Sequence, residues 1–150
     1  MPRTFDQILD GLAALKAEDF DYHHPGFDGN ERLHELTAEL MTLPQPERAV
    51  PALFDVMERM PDADLGSPGP LVHTLERMRG HYESELVESI KRRPTPLALW
   101  MVNRILNGTG NPEQRQFYMD LLRFAAEHPA ASGSAKYEAQ HFIQHQTETA

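Results

Sequence analysis

Two pairs of histidines are the residues in this chain whose spacing first suggests chemistry, because neutral imidazole is a common metal ligand. His141 and His145 lie four residues apart, which places both rings on one face of a helix. The intervening residues, Phe-Ile-Gln, lack the glutamate that zinc peptidases carry after the first histidine. His23 and His24 are adjacent, so in an extended segment their rings point in opposite directions. Surface histidines are the better interpretation, and we predict no metal site.

Catalytic groups are not arranged by any motif of the sequence. His73 and Glu76 lie one helical turn apart and could form an acid–base couple, but no nucleophile accompanies them, so we expect hydrogen bonds between helices. The segment Ser67-Pro68-Gly69-Pro70 lacks the lysine and glycine spacing of a phosphate loop, and helix capping explains it better. The chain has no cysteine, which removes thiolate catalysis and disulfides. We therefore predict no enzyme and no cofactor, with a small hydrolase or metal enzyme as the third hypothesis.

Acidic residues beside aromatic ones are the pattern that favours a binding function. Tyrosine is a common anchor in protein interfaces, and carboxylates pair with Lys and Arg of a partner. Acids and aromatics occur together in the aperiodic segment 18–29, and further acids occur in the turn 61–66 and in the helical stretch 83–88. Ordinary solvated loops and helix faces are the alternative interpretation of the same segments. The predicted partner-binding residues are Asp19, Asp21, Tyr22, Asp62, Asp64 and Glu83.

The net charge of −9 is distributed unevenly along the chain. Residues 1–90 contain 7 Lys or Arg against 18 Asp or Glu, whereas residues 91–150 contain 7 against 5. Nucleic acid is a poor partner for the acidic part, because binding to phosphates requires cationic side chains. A basic protein surface is a better partner, because complementary fields speed the encounter and reject wrong partners. We expect no direct binding of nucleic acid.

The length of 150 residues predicts one domain, 1–150, with a core of ordinary size. No apolar run approaches the roughly 20 residues that span a bilayer, so no membrane interaction is expected. The first residues, Met-Pro-Arg-Thr-Phe-Asp, lack the apolar core of a signal peptide. These features together predict a cytoplasmic protein.

Proline marks the beginning of several predicted helices. Proline at the first helical position loses no hydrogen bond, and Ser67, Thr95 and Asn111 each precede such a proline as an N-cap. Apolar residues of helical period, with no period-two alternation, predict an all-α fold. Two helices with their turns occupy about 30 residues, as in an α-solenoid, and an irregular helical bundle is the alternative. The predicted helices, about eight in antiparallel hairpins, cover roughly 5–17, 30–43, 46–60, 67–80, 81–93, 95–107, 111–127 and 132–146.

The helix predicted over 95–107 differs from the others because almost every face of it is apolar. A helix of this kind is buried on several sides, so we expect it to be central, with Trp100 in the core. Polar groups on such a helix need partners, and we expect Asn103 to join it to a neighbouring loop. In the next helix, Phe117 and Phe124 belong to the apolar residues expected to face inward.

A family resemblance extends over roughly two-thirds of the chain, from about residue 50 to 145. It is carried by GSPGPLVHTLE at 66–76, Tyr82, Leu86, Ser89, RPTP at 93–96 and WMVNRILN at 100–107. This pattern resembles the immunity proteins of bacterial polymorphic toxin systems, of the HEAT-like helical-repeat kind. The resemblance implies a cytoplasmic protein that binds and blocks a cognate toxin domain. It implies no contact residues, because those of the family vary with the partner.

Two functions follow as hypotheses. In the first, the protein is an immunity protein that neutralises a cognate toxin domain by direct contact, through its acidic N-terminal surface. A toxin with a basic surface is the expected partner, and nucleases are one class that fits an acidic inhibitor. In the second, the protein is a general helical-repeat adaptor that binds a host protein and has no toxin partner.

Overall fold

The computed structural model describes residues 2–148, and these are all-α, as predicted, with eight α-helices and no strand. The chain divides into two compact units, Met1–Glu85 and Leu86–Ala150, so the single domain expected for 1–150 stays a prediction. Two 3₁₀ turns cover Ala17–Phe20 and Pro46–Ala49. The helices are α1 (Phe5–Ala14), α2 (Gly29–Leu40), α3 (Val50–Arg59), α4 (Gly69–Glu76), α5 (Glu83–Arg92), α6 (Pro96–Gly108), α7 (Pro112–Ala126) and α8 (Gly133–Glu148).

Local capping explains where three of these helices begin. At α1 the Thr4 hydroxyl accepts the Gln7 backbone N–H at 3.2 Å, and the Gln7 side chain accepts the Thr4 N–H at 2.9 Å. This capping box satisfies two of the N–H groups that a helix start leaves without a partner. Thr95 and Asn111 cap α6 and α7 in a similar way, each accepting the backbone N–H three residues later. The predicted starts of these helices are confirmed.

The start predicted at Ser67-Pro68 is wrong. Their peptide bond is cis, and α4 begins one residue later, at Gly69, with Pro70 in its first turn. Gly66 and Gly69 have φ angles of 113° and 83°, and a Cβ added to Gly66 would lie 2.2 Å from the Cα of Gly69. The chain therefore reverses tightly across these four residues, and the helix follows the reversal.

In the first unit, α1, α2, α3 and α4 bury apolar faces, and Arg59 joins the ends of two of these helices. The Arg59 guanidinium donates to the carbonyls of Leu12 and Leu15, both at 2.9 Å, and its Nε donates to Asp55 at 2.7 Å. Because α1 has no basic residue in its last turn, this contact supplies the cation that the negative end of the helix favours. The fully buried core side chains include Ile8, Leu12, Leu33, Leu40, Leu53, Phe54, Val56, Leu71 and Leu75.

In the second unit, a buried amide joins α8 to α6 and α7. Gln146 is 2 % exposed, and its Nε2 donates to the side-chain oxygens of Asn103 and Asn107, both at 2.7 Å. Arg115 of α7 donates to the Gln146 side-chain oxygen at 3.1 Å and to its backbone carbonyl at 2.8 Å. Asn103 was expected to contact a loop, and the structure corrects this: its partner belongs to a helix. Asn103 and Asn107 lie one turn apart on α6, so a single amide from α8 reaches both.

Three aromatic side chains lie further out than expected. Trp100 is half-buried rather than in the core. Phe117 and Phe124 are 51 % and 49 % exposed, although they belong to the apolar set of α7. The buried face of α7 is formed by Tyr118, Leu121, Leu122 and Ala125. That spacing places residues 117 and 124 at the edge of the face, because each helical residue turns by about 100°.

We expect Gln146→Leu to destabilise the protein by about 1–3 kcal/mol, because Arg115 and Asn103 each lose a partner in a water-poor site. Urea unfolding followed by circular dichroism measures the difference. Gln144→Leu is the matched control, because Gln144 is exposed on the same helix and donates only to Glu148, at 3.0 Å. Equal stability of the two variants would contradict the structural role of Gln146.

Candidate partner-binding surface

The loop 21–28, between the first 3₁₀ turn and α2, carries two of the most exposed aromatic side chains of the first unit. Every residue of this loop is exposed, with Tyr22 at 70 % and Phe27 at 50 %. The Tyr22 ring lies against the His23 ring, with 4.1 Å between centroids. The Asp21 carboxylate accepts the His23 N–H at 3.0 Å, which shapes the start of the loop. Aromatic side chains presented in this way are typical of protein interfaces.

One guanidinium closes the loop at its base. Arg32 on α2 contacts Asp19, before the loop, at 2.8 Å and Asp28, at its end, at 2.9 Å. The Asp19 carboxylate also accepts the Lys16 backbone N–H at 2.8 Å. Both ends of the exposed segment are thereby held by the same side chain. A loop closed in this way loses less conformational entropy when it binds a partner.

Close packing beneath the loop fixes it further. Phe20 is 7 % exposed, and the backbone of Gly29 lies against it where α2 begins. A Cβ added to Gly29 would lie 2.8 Å from the Asp19 carbonyl oxygen and 2.9 Å from the Phe20 ring. Only glycine allows this approach without a shift of the backbone. The loop therefore rises from a packed base rather than from a flexible one.

The charges at the base of the loop stabilise one another. Partial burial raises the pKa of Asp19, but the Lys16 N–H and the Arg32 guanidinium outweigh it, so this pKa lies below its usual value. For Arg32, burial lowers the pKa, and the carboxylates of Asp19 and Asp28 outweigh that effect and raise it. Both partners are charged at neutral pH. Asp19 therefore stabilises the base of the loop. Of the two carboxylates within the loop, Asp28 pairs with Arg32 and Asp21 accepts the His23 N–H.

The second acidic segment, Asp62 and Asp64, follows α3 and is also exposed. Arg59, the last residue of α3, holds the carbonyl of Leu15 just beyond α1. Asp19 follows Leu15 by four residues, and Asp62 follows Arg59 by three. Each acidic segment therefore begins within a few residues of this contact.

Glu83 has a different environment from the other predicted residues. Its carboxylate accepts the Gly80 N–H at 2.9 and 3.1 Å and the Tyr82 N–H at 3.2 Å. These contacts belong to the turn that leads into α5. Acidic groups at the start of a helix are stabilised by its dipole, so the position of Glu83 has a structural reason.

Two residues of this surface are absent from the predicted set, Phe27 and Arg32. Phe27 follows the same rule as Tyr22, an aromatic side chain in an acidic aperiodic segment. Arg32 lies four residues after Asp28 in the chain, a spacing that predicts an ion pair on a helix. Its second contact, with Asp19, bridges a loop and has no signal in the sequence.

The histidines are not assembled into a metal site in the part of the chain that the structure describes, where no group of three or more His, Cys, Asp or Glu is placed to hold an ion. His141 lies parallel to the Tyr137 ring, with 6.1 Å between centroids and 6° between planes. An aromatic contact on an exposed helix face accounts for this residue.

We expect Asp19→Asn to lower the free energy of unfolding at pH 7, and this difference to shrink as the pH falls. The folded-state pKa of Asp19 is lowered, so its stabilisation is complete above the unfolded value of about 3.9 and is lost as the pH falls through the folded value. Urea unfolding at pH 7 and pH 3 measures the effect. Asp10→Asn, on the exposed side of α1, is the control. If Asp19→Asn lowers the free energy of unfolding by the same amount at pH 7 and at pH 3, the stabilising ion pair of Asp19 is contradicted.

No family model, curated protein or solved structure matches this chain in comparisons with known proteins. Among residues 2–148, no helix is both long and apolar enough to cross a bilayer. The identification as an immunity protein therefore stays a prediction that depends on the residues quoted for the resemblance and on the surface described above.

Proposed function

We propose that this protein binds and neutralises a cognate bacterial toxin domain by direct contact, in the cytoplasm of the cell that makes it. The binding surface is the loop 21–28 together with the acidic turn after α3. Tyr22 and Phe27 enter apolar pockets of the toxin, and Asp21, Asp62 and Asp64 face its basic side chains. The protein itself performs no reaction, and no cofactor takes part.

The observation that carries this proposal is the presentation of Tyr22 and Phe27 on a loop whose ends are held by Arg32. Burying an aromatic side chain of this size contributes about 1.5–3 kcal/mol. Two such anchors on one loop supply much of the free energy of a tight complex, provided that ordering the loop costs little. The closed base of the loop supports that condition.

Charge supports the choice of a basic partner. Residues 1–85 contain 7 Lys or Arg against 17 Asp or Glu, a net charge of −10, while residues 86–150 have a net charge of +1. An acidic field of this size speeds association with a cationic surface, most strongly at low salt. Toxins that act on nucleic acid carry such surfaces, because they must bind phosphates. We therefore propose a nuclease domain as the partner.

We expect the toxin domain encoded beside the gene to bind the protein one-to-one with nanomolar affinity, measured by calorimetry after co-purification. Tyr22→Ala and Phe27→Ala should each weaken binding about tenfold or more, because each removes a central anchor. Tyr137→Ala is the matched control, because Tyr137 is 64 % exposed on α8, in the other unit. Binding that Tyr22→Ala and Phe27→Ala leave unchanged would contradict the proposed surface.

Reversing three charges, with Asp21→Lys, Asp62→Lys and Asp64→Lys, should slow association several-fold at low salt, with a smaller effect on dissociation. Stopped-flow mixing at two salt concentrations measures both rates. Glu113→Lys is the control, because it reverses a charge in the second unit, outside the proposed surface. If a folded and active toxin domain fails to bind at all, the adaptor without a toxin partner becomes the better hypothesis.

A further inference from the structure

The exposed edge of α7 carries two phenylalanines that the core does not use. Phe117 and Phe124 are 51 % and 49 % exposed, and they are seven residues apart. This spacing puts them on one side of the helix, about 10 Å apart along its axis. The Phe117 ring lies edge-on to its neighbour Tyr118, with 5.2 Å between centroids. These two half-exposed aromatic rings form an apolar seam along the helix. Exposed apolar patches often mark surfaces that bind a partner.

His128 extends this seam to the end of α5. Its ring lies edge-on to the Phe124 ring, with 5.5 Å between centroids. Its Nδ1 accepts the Ala130 N–H at 2.9 Å, which assigns the proton to Nε2, and Nε2 donates to the Lys91 carbonyl at 2.7 Å. The ring is therefore held in one orientation. The aromatic seam is fixed beside the last turn of α5.

Charged residues border the seam in an ordered way. Lys91, Arg92 and Arg93 are exposed at the end of α5, where the Lys91 carbonyl contacts His128. The Lys91 ammonium lies 3.9 Å from the Glu88 carboxylate, so part of this positive charge is neutralised within α5. Along the outer edge of α7 lie Glu113, Asp120 and Glu127, all exposed. We call the surface formed by this seam and by Lys91, Arg92 and Arg93 the α7 face. The three acidic residues form the rim of this face. Asp120 contacts Arg123 at 3.0 Å, so part of the rim's charge is neutralised within α7.

We propose that the α7 face binds an amphipathic helix of a partner protein, with the apolar side of that helix on Phe117 and Phe124. The acidic end of the partner helix lies against Lys91, Arg92 and Arg93. Docking of an amphipathic helix through apolar residues about two turns apart is a recurrent mode of recognition. This surface belongs to the second unit and does not depend on the toxin-binding proposal.

The charge pattern favours this occupant over a second copy of the chain. Two α7 helices that pack antiparallel about a two-fold axis bring their acidic rims to the same side of the contact, where they repel. Two that pack parallel bring their cationic ends together instead. Nucleic acid is disfavoured as well, because its phosphates would run along the rim. An amphipathic helix whose acidic residues lie at one end avoids these repulsions, because its acidic residues face the cations and its apolar side faces the two phenylalanines.

The test uses a synthetic 14-residue helical peptide with leucines at positions 4, 7 and 11 and glutamates in its last turn. Fluorescence anisotropy measures its binding to the full chain, and amide resonances report which residues it contacts. We expect shifts near Phe117, Phe124 and Lys91, and binding weakened about tenfold or more by Phe117→Ala with Phe124→Ala. Lysines in place of the peptide's glutamates should also weaken binding.

Tyr137→Ala is the matched control, because it removes an exposed ring from α8 and should leave peptide binding unchanged. Tyr22→Ala separates this proposal from the toxin-binding one, since it should affect the toxin domain alone. If the double variant loses helicity, Lys91→Gln replaces it. The backbone carbonyl of residue 91 still accepts from His128, and the exposed side chain loses its charge and its ion pair with Glu88.

Several results would overturn the proposal. One is a peptide that does not bind, or that binds the double variant equally well. Another is a single-stranded RNA of 12 nucleotides that displaces the peptide from the α7 face. A third is a dimer of the free protein in sedimentation that the double variant abolishes, because the second copy would then be the occupant.

Discussion

Much of this structure depends on side chains that donate to backbone carbonyls near the C-terminal end of a helix. A short helix leaves four carbonyls without partners at its C-terminal end, and these carry partial negative charge. Arg59 of α3 donates to such carbonyls of α1, His128 donates to Lys91 at the end of α5, and Arg115 of α7 donates to Gln146 near the end of α8. Each contact also fixes one helix end beside another element. The positions of the exposed surfaces follow from these contacts.

Both proposed surfaces lie next to such a contact. The acidic segments begin a few residues after α1 and α3, whose ends Arg59 joins. The aromatic seam of α7 continues through His128, whose ring is oriented by the carbonyl it caps. Arg32 acts in a similar way within the loop 21–28, where its two ion pairs hold both ends of the exposed segment. Placement by hydrogen bonds and ion pairs of single side chains is thus a common feature of the candidate sites.

Local signals in the sequence predict much of the fold. The caps at Thr4, Thr95 and Asn111 were readable because the hydroxyl or amide and the N–H that it bonds are three residues apart. The start at Ser67-Pro68 was predicted wrongly, because the same residues that suit a cap also suit a tight reversal between two glycines.

The sequence does not predict contacts between residues that are far apart along the chain. Gln146 reaches Asn103 across 43 positions, and no local pattern distinguishes this glutamine from its exposed neighbours on α8. The exposed position of Tyr22 fits its prediction from an acidic segment without periodicity, and its role as a binding residue stays a prediction. The outward position of Phe124 was not predicted, since periodicity alone does not tell the centre of an apolar face from its edge.

Hydrogen–deuterium exchange of the protein with and without the toxin domain encoded beside its gene tests the central claim most directly, because it reads the contact surface without any substitution. The account predicts slower exchange in the loop 21–28 and in the turn 61–65, with little change along α8. A tight complex in which these two segments exchange as fast as in the free protein would contradict it.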